Sequence, residues 1–191
     1  IPFFWPHSYS DQNLMMTNQP PGNGFIFGTD AHGRDLFIRV VYGARISLTV
    51  GILASVINLV VGVTYGGIAG YFGGKVDNLM MRIVDILYTI PLTLYVILLM
   101  VWLKPGMTSI LVAIGTTYWI GMARIVRGQI YSLKEQEYVL AARTLGASDS
   151  RILFKHLIPN AMGPIIVSLT MSIPQAIFTE AFLSFIGLGV S

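Results

Sequence analysis

The sequence predicts an all-α integral membrane protein that folds as a polytopic helical bundle. Of its 191 residues, 54% are hydrophobic and only 11% are charged, whereas soluble domains carry about 25% charged residues. Four apolar stretches are long enough to cross a bilayer, because about 20 residues of helix span roughly 30 Å of hydrocarbon. The polar remainder is too short to cover four such helices in water, so a soluble globular domain is excluded.

The four stretches carry almost no charge. Residues 46–74 contain none over 29 positions and should tilt or extend into the interface, and residues 83–103 contain only Asp85. Residues 105–123 and 157–179 contain none. Each stretch is a predicted crossing. Proline removes a backbone hydrogen bond and kinks a helix, and the crossings contain Pro91, Pro164 and Pro174.

Basic residues are concentrated in one segment, 124–156, which holds six of the twelve Lys and Arg residues. Because basic residues accumulate in cytoplasmic loops, this segment is predicted to lie inside the cell. Alternating the crossings from there places residues 75–82 inside, and residues 104–107 and 1–45 outside. Eight basic residues then lie inside and four outside, in agreement with the same rule.

Two regions follow from this topology. Residues 1–45 form an external segment, and residues 46–191 form a transmembrane core that includes a cytoplasmic loop at 124–159. The first 30 residues are rich in Pro, Asn, Gln, Ser and Gly, which indicates irregular surface chain. From Asp35 onward, the spacing of apolar and basic residues favours an interfacial helix that leads into the first crossing.

The sequence contains no pattern typical of catalysis. It has no cysteine, which excludes disulfides, thiolate nucleophiles and Cys-ligated metal sites. No phosphate-binding, hydrolase or zinc-protease motif is present, and the three histidines lie far apart. A net charge of +3 is too sparse for a nucleic-acid surface. We therefore expect no catalytic residue, no metal site and no nucleic-acid partner.

Small residues in the first crossing predict close helix packing. Gly62, Gly66 and Gly70 recur every four residues, the spacing that lets two membrane helices approach closely. A phosphate loop is not indicated, because no Lys-Ser or Lys-Thr pair follows the glycines.

Three polar residues in or near the crossings are candidates for pathway lining or helix pairing. Asn58 is mid-membrane, and we expect it to hydrogen-bond another helix in preference to cargo. Asp85 and Glu180 lie near the ends of their crossings, where the free-energy cost of a charged side chain is small if it forms an ion pair. Arg82 is a nearby partner for Asp85.

Two short helices are predicted in the cytoplasmic loop. The first begins at a capping box of Ser132 and Glu135 and ends at Gly146. Ser148 caps the second, and Pro159 turns the chain into the membrane. Two short helices that project from the membrane are typical of a docking site. The spacing of their residues alone is equally compatible with an ordinary loop between helices. One face of the first helix is small and apolar, with Tyr138, Ala141, Ala142 and Leu145 at helical spacing.

Two motifs resemble one family. The sequences EYV at 137–139, AAR at 141–143 and LGAS at 145–148 are similar to the EAA loop of ABC importer permeases. GTD at 28–30, GRD at 33–35 and YGARISL at 42–48 resemble the stretch before a spanning helix in C-type permeases of dipeptide and oligopeptide importers. The similarity covers about residues 25 to 190. One departure is that Leu140 precedes the two alanines, where the family pattern has glutamate.

The resemblance implies a permease subunit of an ATP-driven importer of dipeptides or oligopeptides, with the type I ABC importer permease fold, in the cell membrane. Six crossings are usual in this family, so we expect this chain to lack the first and the last. A coupling loop seated in a groove of a cytoplasmic ATPase would include Glu137, Ala141, Ala142, Gly146 and Pro159. The resemblance also implies an external motif that either contacts a binding protein or braces the fold, and bracing is favoured. The motif comprises Gly28, Thr29, Asp30, Gly33, Arg34 and Asp35.

The resemblance also implies partners. They are a homologous second permease subunit, two cytoplasmic ABC ATPase subunits, an extracellular or periplasmic substrate-binding protein, and membrane lipid. ATP and Mg would be used by the ATPase subunits, so this chain is expected to hold no cofactor and not to be an enzyme. A nickel or metal-chelate importer shares these motifs and stays open as an alternative. A secondary transporter would call for stronger midplane charges and internal repeats, which the sequence does not show.

Overall fold

The computed structural model describes residues 6–22, 24–103 and 106–188. Helices dominate this part of the chain and it contains no strand, which confirms the all-α prediction. Two isolated β-bridges, Gly22 with Phe25 and Thr29 with Asp35, precede the first long helix. Lys104 and Pro105, in the predicted external loop at 104–107, lie outside the described residues.

The chain forms two compact units, Ile1–Thr49 and Val50–Ser191, so the division falls four residues after the predicted boundary at 45. A short 3-10 helix, Leu14–Met16, lies in the first unit. The longer elements are α1 (Leu36–Phe72), α2 (Gly74–Thr89), α3 (Leu92–Leu103), α4 (Met107–Thr117), α5 (Trp119–Leu133), α6 (Glu137–Thr144), α7 (Asp149–Arg151), a π-helix (Ile152–Leu157), α8 (Ile158–Asn160) and α9 (Met162–Phe185).

Helix α1 combines two predicted elements. Asp35 caps its first turn, because the Asp35 Oδ1 accepts a hydrogen bond from the Phe37 backbone N–H at 2.9 Å. From Leu36 the helix then continues without a break to Phe72. The predicted interfacial helix and the first crossing are therefore one helix of 37 residues.

The second predicted crossing is wrong as a single helix. Helices α2 and α3 are bent by 84° where they meet. Pro91 offers no N–H to the Leu87 carbonyl and disfavours helical backbone at Ile90, which is extended with φ −87° and ψ 119°. Three helices in the described chain are long and apolar enough to span a membrane, and the count reaches the predicted four only if this bent pair is one span.

The third and fourth crossings lie further along the chain than predicted. Helices α4 and α5 form one candidate span, Met107–Leu133, which extends ten residues past the predicted end at Ala123. Arg124 and Arg127 therefore lie on α5. Helix α9 begins at Met162 and contains Pro174 in its interior. The third crossing extends past the two arginines because both form ion pairs with acidic residues on α2.

The glycine stripe on α1 packs directly against α5, as the four-residue spacing predicts. A Cβ on Gly62 would lie 2.6 Å from the Met122 Cβ, and one on Gly66 would lie 2.2 Å from the Ala123 carbonyl oxygen. A Cβ on Gly70 would lie 2.8 Å from the Arg127 carbonyl oxygen. The backbones of the two helices thus approach more closely than any side chain allows.

We expect the substitution Gly66→Ala to destabilise the folded protein by about 1 to 3 kcal/mol, because its methyl group would overlap backbone that cannot rotate away. Gly128→Ala, on α5, is the matched control, since a Cβ there meets nothing within 4 Å. Thermal unfolding of the purified protein in detergent measures both. Equal midpoints for the two variants would contradict this close packing.

Candidate coupling surface and membrane cavity

The coupling segment, defined here as residues 134–160, begins later than the capping box predicts. Helix α5 continues to Leu133, and the chain then turns, with the Gln136 N–H donating to the Leu133 carbonyl at 3.1 Å. Helix α6 starts at Glu137 after Gln136, whose side chain makes no cap hydrogen bond. The capping box of Ser132 and Glu135 is therefore wrong, because Ser132 remains part of the membrane helix.

The predicted end of α6 and the predicted cap of α7 are both confirmed. Gly146 has φ +79° and its N–H donates to the Arg143 carbonyl at 2.9 Å, while the Ala147 N–H donates to the Ala142 carbonyl at 3.0 Å. This is the Schellman arrangement, which favours glycine at the left-handed position. The Ser148 Oγ then accepts the Arg151 N–H at 3.4 Å. The two short helices thus meet at a sharp corner.

The coupling segment is packed into the same core as the membrane helices. Val139 of α6 and Ile152 and Leu157 of the π-helix are fully buried, in one cluster with Val126 and Ile130 of α5. Each such aliphatic side chain contributes about 1.5 to 3 kcal/mol of burial free energy. A displacement of the segment must therefore displace the α5 side chains that contact it.

Polar contacts add a second connection, between the segment and the end of α1. The Tyr71 hydroxyl donates to the Asp149 Oδ1 at 2.6 Å, and the Arg143 guanidinium lies 5.5 Å from the centre of the Tyr71 ring. The Lys134 Nζ donates to the Gly70 carbonyl at 3.0 Å. Local sequence patterns do not predict these contacts, because the residues involved are about 60 to 80 positions apart.

An exposed apolar surface remains on α6 after this packing. We define the coupling surface as Leu140, Ala141 and Leu145, with Glu137 and Gly146 at its border. The exposed fraction of the residue is 65% for Leu140 and 87% for Leu145. Ala141 and Leu145 are four positions apart and lie on one side of the helix, and Leu140 directly precedes Ala141. Large apolar side chains this exposed make the surface a candidate interaction site.

Two other predicted coupling residues have different surroundings. Ala142 is half-buried against the core, so its small size serves packing within the chain. Pro159 is exposed at the end of the π-helix, where the Ile158 N–H already donates to the Leu153 carbonyl, five residues back. Proline has no N–H, so Pro159 cannot donate the next hydrogen bond of a regular helix. The wider turn of the π-helix lies directly before this interruption.

In the first unit, the predicted external motif is organised around Asp30. Its Oδ1 accepts the backbone N–H groups of His32 at 2.8 Å and Arg34 at 3.0 Å. Its Oδ2 accepts the Arg34 Nε at 2.8 Å and also contacts the Arg39 guanidinium. Burial raises the pKa of Asp30, but these hydrogen bonds outweigh it, so the net pKa lies well below 3.8.

The other motif residues also face their own chain. Gly28 and Gly33 have φ of +76° and +70°, and a Cβ on either would overlap a carbonyl oxygen, that of Gln19 or Asn13. Thr29 is buried, and its Oγ1 accepts the Gln19 N–H at 2.9 Å. These contacts agree with bracing of the fold, while contact with a binding protein stays an untested alternative.

We expect Asp30→Asn to loosen this motif at neutral pH, because an amide cannot accept the same set of charge-assisted hydrogen bonds. The pKa of Asp30 is depressed in the folded state, so its stabilising effect is full above pH 4 and is lost as the pH falls through the folded-state pKa. Hydrogen exchange at the His32 and Arg34 amides measures this, with severalfold faster exchange expected. Asp11→Asn is the control, and equal exchange in the two variants would contradict this role.

Two ion pairs connect α2 to α5. Asp85 pairs with Arg124, with the Oδ1 to Nη2 distance at 2.7 Å, and both side chains are exposed. The predicted pairing of Asp85 with Arg82 is therefore wrong. Asp77 is buried and receives two hydrogen bonds from Arg127, both at 2.5 Å. The sequence does not single out Asp77, because this residue falls in a predicted loop, although its spacing of eight residues from Asp85 places both on one helix face.

The remaining polar candidates lie at α1 and α9. Glu180 is buried, and its Oε1 accepts the Ser184 hydroxyl at 2.9 Å within α9. The Ser55 and Ser172 hydroxyls meet at 2.9 Å and join α1 to α9. Asn58 is 3% exposed, and its Oδ1 has no hydrogen-bond partner among the described residues. The sequence predicts a hydrogen bond from Asn58 to another helix, and this oxygen does not form one among the described residues.

Asn58 lines a cavity of about 490 Å³. The break between α2 and α3 contributes Tyr88, Ile90 and Pro91 to the lining, and α9 contributes Ser168 and Ser172. Non-helical backbone at membrane depth is tolerated where it lines a cavity, which accounts for the break at this point. The described part of the chain holds no group of His, Asp or Glu side chains that could bind a metal ion.

Comparison with known proteins adds sequence relatives to this geometry. Residues 62–191 match the sequence model of a family described as the binding-protein-dependent transport system inner membrane component. The chain is 55% identical over 189 residues to the dipeptide transport system permease protein DppC of Bacillus subtilis, and equally to the oligopeptide transport system permease protein OppC of that organism. These matches cover 99% of this chain but 59% and 62% of the relatives, so it spans about three fifths of their length.

A solved structure is also similar. A chain from inward-facing conformations of the MetNI methionine ABC transporter superposes with a TM-score of 0.69. The superposition covers 79% of this chain and 76% of that one, at 19% identity. At this identity the likeness concerns the fold alone.

Proposed function

Since this chain belongs to the family of binding-protein-dependent transport system inner membrane components, we propose that it is a permease subunit of an ATP-driven importer of dipeptides or oligopeptides. The observation that carries the proposal is the 55% identity to two relatives named as dipeptide and oligopeptide permeases. No described feature favours nickel or a metal chelate over a peptide. In this role the chain conducts cargo and is not an enzyme.

The fold and location agree with this role. The chain is a multi-pass membrane protein with the all-α architecture of type I ABC importer permeases, as the sequence predicts. Its apolar helices are long enough to cross a bilayer.

The proposal includes the partners implied by the family. A homologous second permease would complete the cargo path, and a substrate-binding protein would deliver the peptide. Two cytoplasmic ATPase subunits would bind and hydrolyse ATP with Mg²⁺, so neither is assigned to this chain. Membrane lipid surrounds the complex, and no nucleic acid takes part.

Coupling between ATP and transport would run through packing. An ATPase groove would receive the coupling surface, where Leu140 and Leu145 present exposed apolar area. Movement of α6 would pass to α5 through Val139, which is buried among α5 side chains. It would pass to α1 through the hydrogen bond from Tyr71 to Asp149. Rigid transmission is expected because packed cores switch between discrete arrangements and do not deform continuously.

Peptide uptake by the complete transporter tests this function. Proteoliposomes that contain the full-length permease, its partner permease, the ATPase subunits and the binding protein are supplied with a radiolabelled dipeptide. We expect uptake that requires ATP inside the compartment containing the ATPases and that is unaffected when ion gradients are collapsed. Nickel offered in place of the peptide should not be accumulated.

Three results would overturn the proposal. Uptake that persists without ATP and follows an ion gradient would indicate a secondary transporter. ATP-dependent accumulation of nickel without peptide uptake would assign the chain to metal import. Peptide uptake unchanged by omission of this subunit would remove it from the path.

A further inference from the structure

Helix α2 has an apolar edge that the rest of the described chain does not cover. The helix buries Asp77 and Val84, whereas the large apolar side chains of another edge stay exposed. Their positions are three or four residues apart, which places them on one side of a helix, and they are Val76, Leu79, Ile83 and Ile86. Leu79 and Ile86 are 65% and 64% exposed. An apolar edge of this length requires lipid or another chain to cover it.

A second exposed edge of α2, beside the first, is polar and basic. Lys75, Asn78, Arg82 and Asp85 follow one another at the same spacing and are all exposed. Asp85 is already paired with Arg124 of α5. Lys75 and Arg82 form no ion pair among the described residues. This edge therefore presents two positive charges that the described chain does not neutralise.

The depth of α2 follows from the arginines that it contacts. Helices α4 and α5 form the candidate span Met107–Leu133. Its first seventeen residues, up to Ala123, carry no charge, and as a helix they cover about 25 Å of the roughly 30 Å of hydrocarbon. Arg124 and Arg127 follow, on the side that the basic residues predict to be cytoplasmic. The aspartates of α2 that pair with them therefore lie near the inner surface of the membrane.

The same two ion pairs set the direction of α2. Asp77 pairs with Arg127, and Asp85 pairs with Arg124. The eight positions between the aspartates advance about 12 Å along α2, whereas the three positions between the arginines advance only about 4.5 Å along α5. Helix α2 therefore runs across α5 and stays near the depth of its arginines. The 84° bend between α2 and α3, which carries no charge, agrees with this direction.

The inner membrane surface suits both exposed edges of such a helix. Acyl chains can cover the apolar edge, and the phosphate groups of anionic lipids can pair with Lys75 and Arg82. A protein partner could also cover the apolar edge. It would, however, remove water from the two adjacent cations, which is unfavourable unless the partner supplies acidic side chains. The charge of this edge therefore favours anionic lipid.

We propose that α2 is an interfacial helix that binds anionic lipid on the cytoplasmic side of the membrane. Val76, Leu79, Ile83 and Ile86 lie among the acyl chains, and Lys75 and Arg82 bind the headgroup phosphates. The inference depends on the location of the chain in a membrane and not on its cargo. The headgroup is recognised by its negative charge, so phosphatidylglycerol is a suitable probe.

Nitroxide accessibility tests the position of α2 in the complete transporter, in nanodiscs that contain phosphatidylglycerol. A single label is attached at Leu79→Cys or at Asn78→Cys. These neighbours lie on the apolar and the basic edge, so each is the control for the other. We expect oxygen to relax the label at position 79 more than a water-soluble nickel chelate does, and the reverse at position 78. A label at position 79 that neither reagent reaches would indicate a protein partner and would overturn the inference.

Titration of phosphatidylglycerol into the transporter in detergent, followed by native mass spectrometry, tests the basic edge. We expect the apparent dissociation constant to rise about tenfold or more in Lys75→Gln with Arg82→Gln, because each cation at an anionic surface contributes to binding. Arg151→Gln with Lys155→Gln is the matched control, since it removes the same charge from exposed positions of the coupling segment. This control should bind the lipid as the wild type does.

Two results of the titration would overturn the inference. One is an equal affinity for phosphatidylglycerol in the wild type and the α2 variant. The other is an equal loss of affinity in the α2 variant and the control, which would indicate an effect of net charge alone. ATP-driven peptide uptake by the wild type would leave the proposed function intact in either case.

Discussion

Replacing Leu145 with aspartate is expected to abolish attachment of the ATPase subunits and peptide uptake together. The Leu145 side chain is 87% exposed at the corner after α6, so its replacement removes no packing within the chain. A carboxylate would instead be buried against the partner groove without a counter-charge. Truncation of a central apolar contact costs about 2 kcal/mol or more, which corresponds to roughly a thirtyfold loss of affinity. Leu140→Asp should act in the same direction.

Co-purification of the ATPase subunits with the tagged permease measures the effect. Met15→Asp is a matched control, because the Met15 side chain is 92% exposed but belongs to the first unit. The thermal stability of the permease alone should be the same in both variants. Normal ATPase recovery and uptake with Leu145→Asp would show that this surface is an ordinary loop.

Replacing Arg127 with methionine is expected to destabilise the folded protein by about 2 kcal/mol or more, because it leaves the buried Asp77 carboxylate without its partner. The Asp77 side chain is only 4% exposed. The chain contains its own control, because Arg124 and Asp85 form a second pair between the same helices in an exposed position. Arg124→Met should cost less than about 1 kcal/mol.

Thermal unfolding in detergent compares the two arginine variants. The double replacement Asp77→Leu with Arg127→Met should recover much of the loss, since a buried ion pair can be replaced by apolar side chains at little cost. Equal destabilisation by Arg127→Met and Arg124→Met would contradict the distinction between the buried and the exposed pair.

Features that depend on short spacing could be predicted from the sequence. The stripe of Gly62, Gly66 and Gly70 predicts the close approach to α5, and Gly146 predicts the end of α6. Both follow from local rules, the absence of a Cβ in one case and a left-handed backbone in the other. The predicted apolar face of Tyr138, Ala141, Ala142 and Leu145 is only partly of this kind, because Ala142 packs against the core and Leu140 is exposed in its place.

Features that depend on partners distant in sequence could not be predicted. The charge of Arg124 and Arg127 predicts a loop, yet both lie on a helix where acidic residues on α2 pair with them. The contact of Tyr71 with Asp149 joins residues 78 positions apart. For Pro91 a kink was predictable, but the 84° change of direction requires knowledge of the cavity that the break lines.

Cross-linking at position 145 tests most directly whether the coupling surface binds the ATPase. These 191 residues contain no cysteine, so Leu145→Cys introduces the only thiol among them. In the complete transporter, with one cysteine in the ATPase groove, the account predicts a disulfide between the two subunits on mild oxidation, and none with the equally exposed Met15→Cys. An unreacted thiol at position 145, in transporter that imports peptide with ATP, would contradict it.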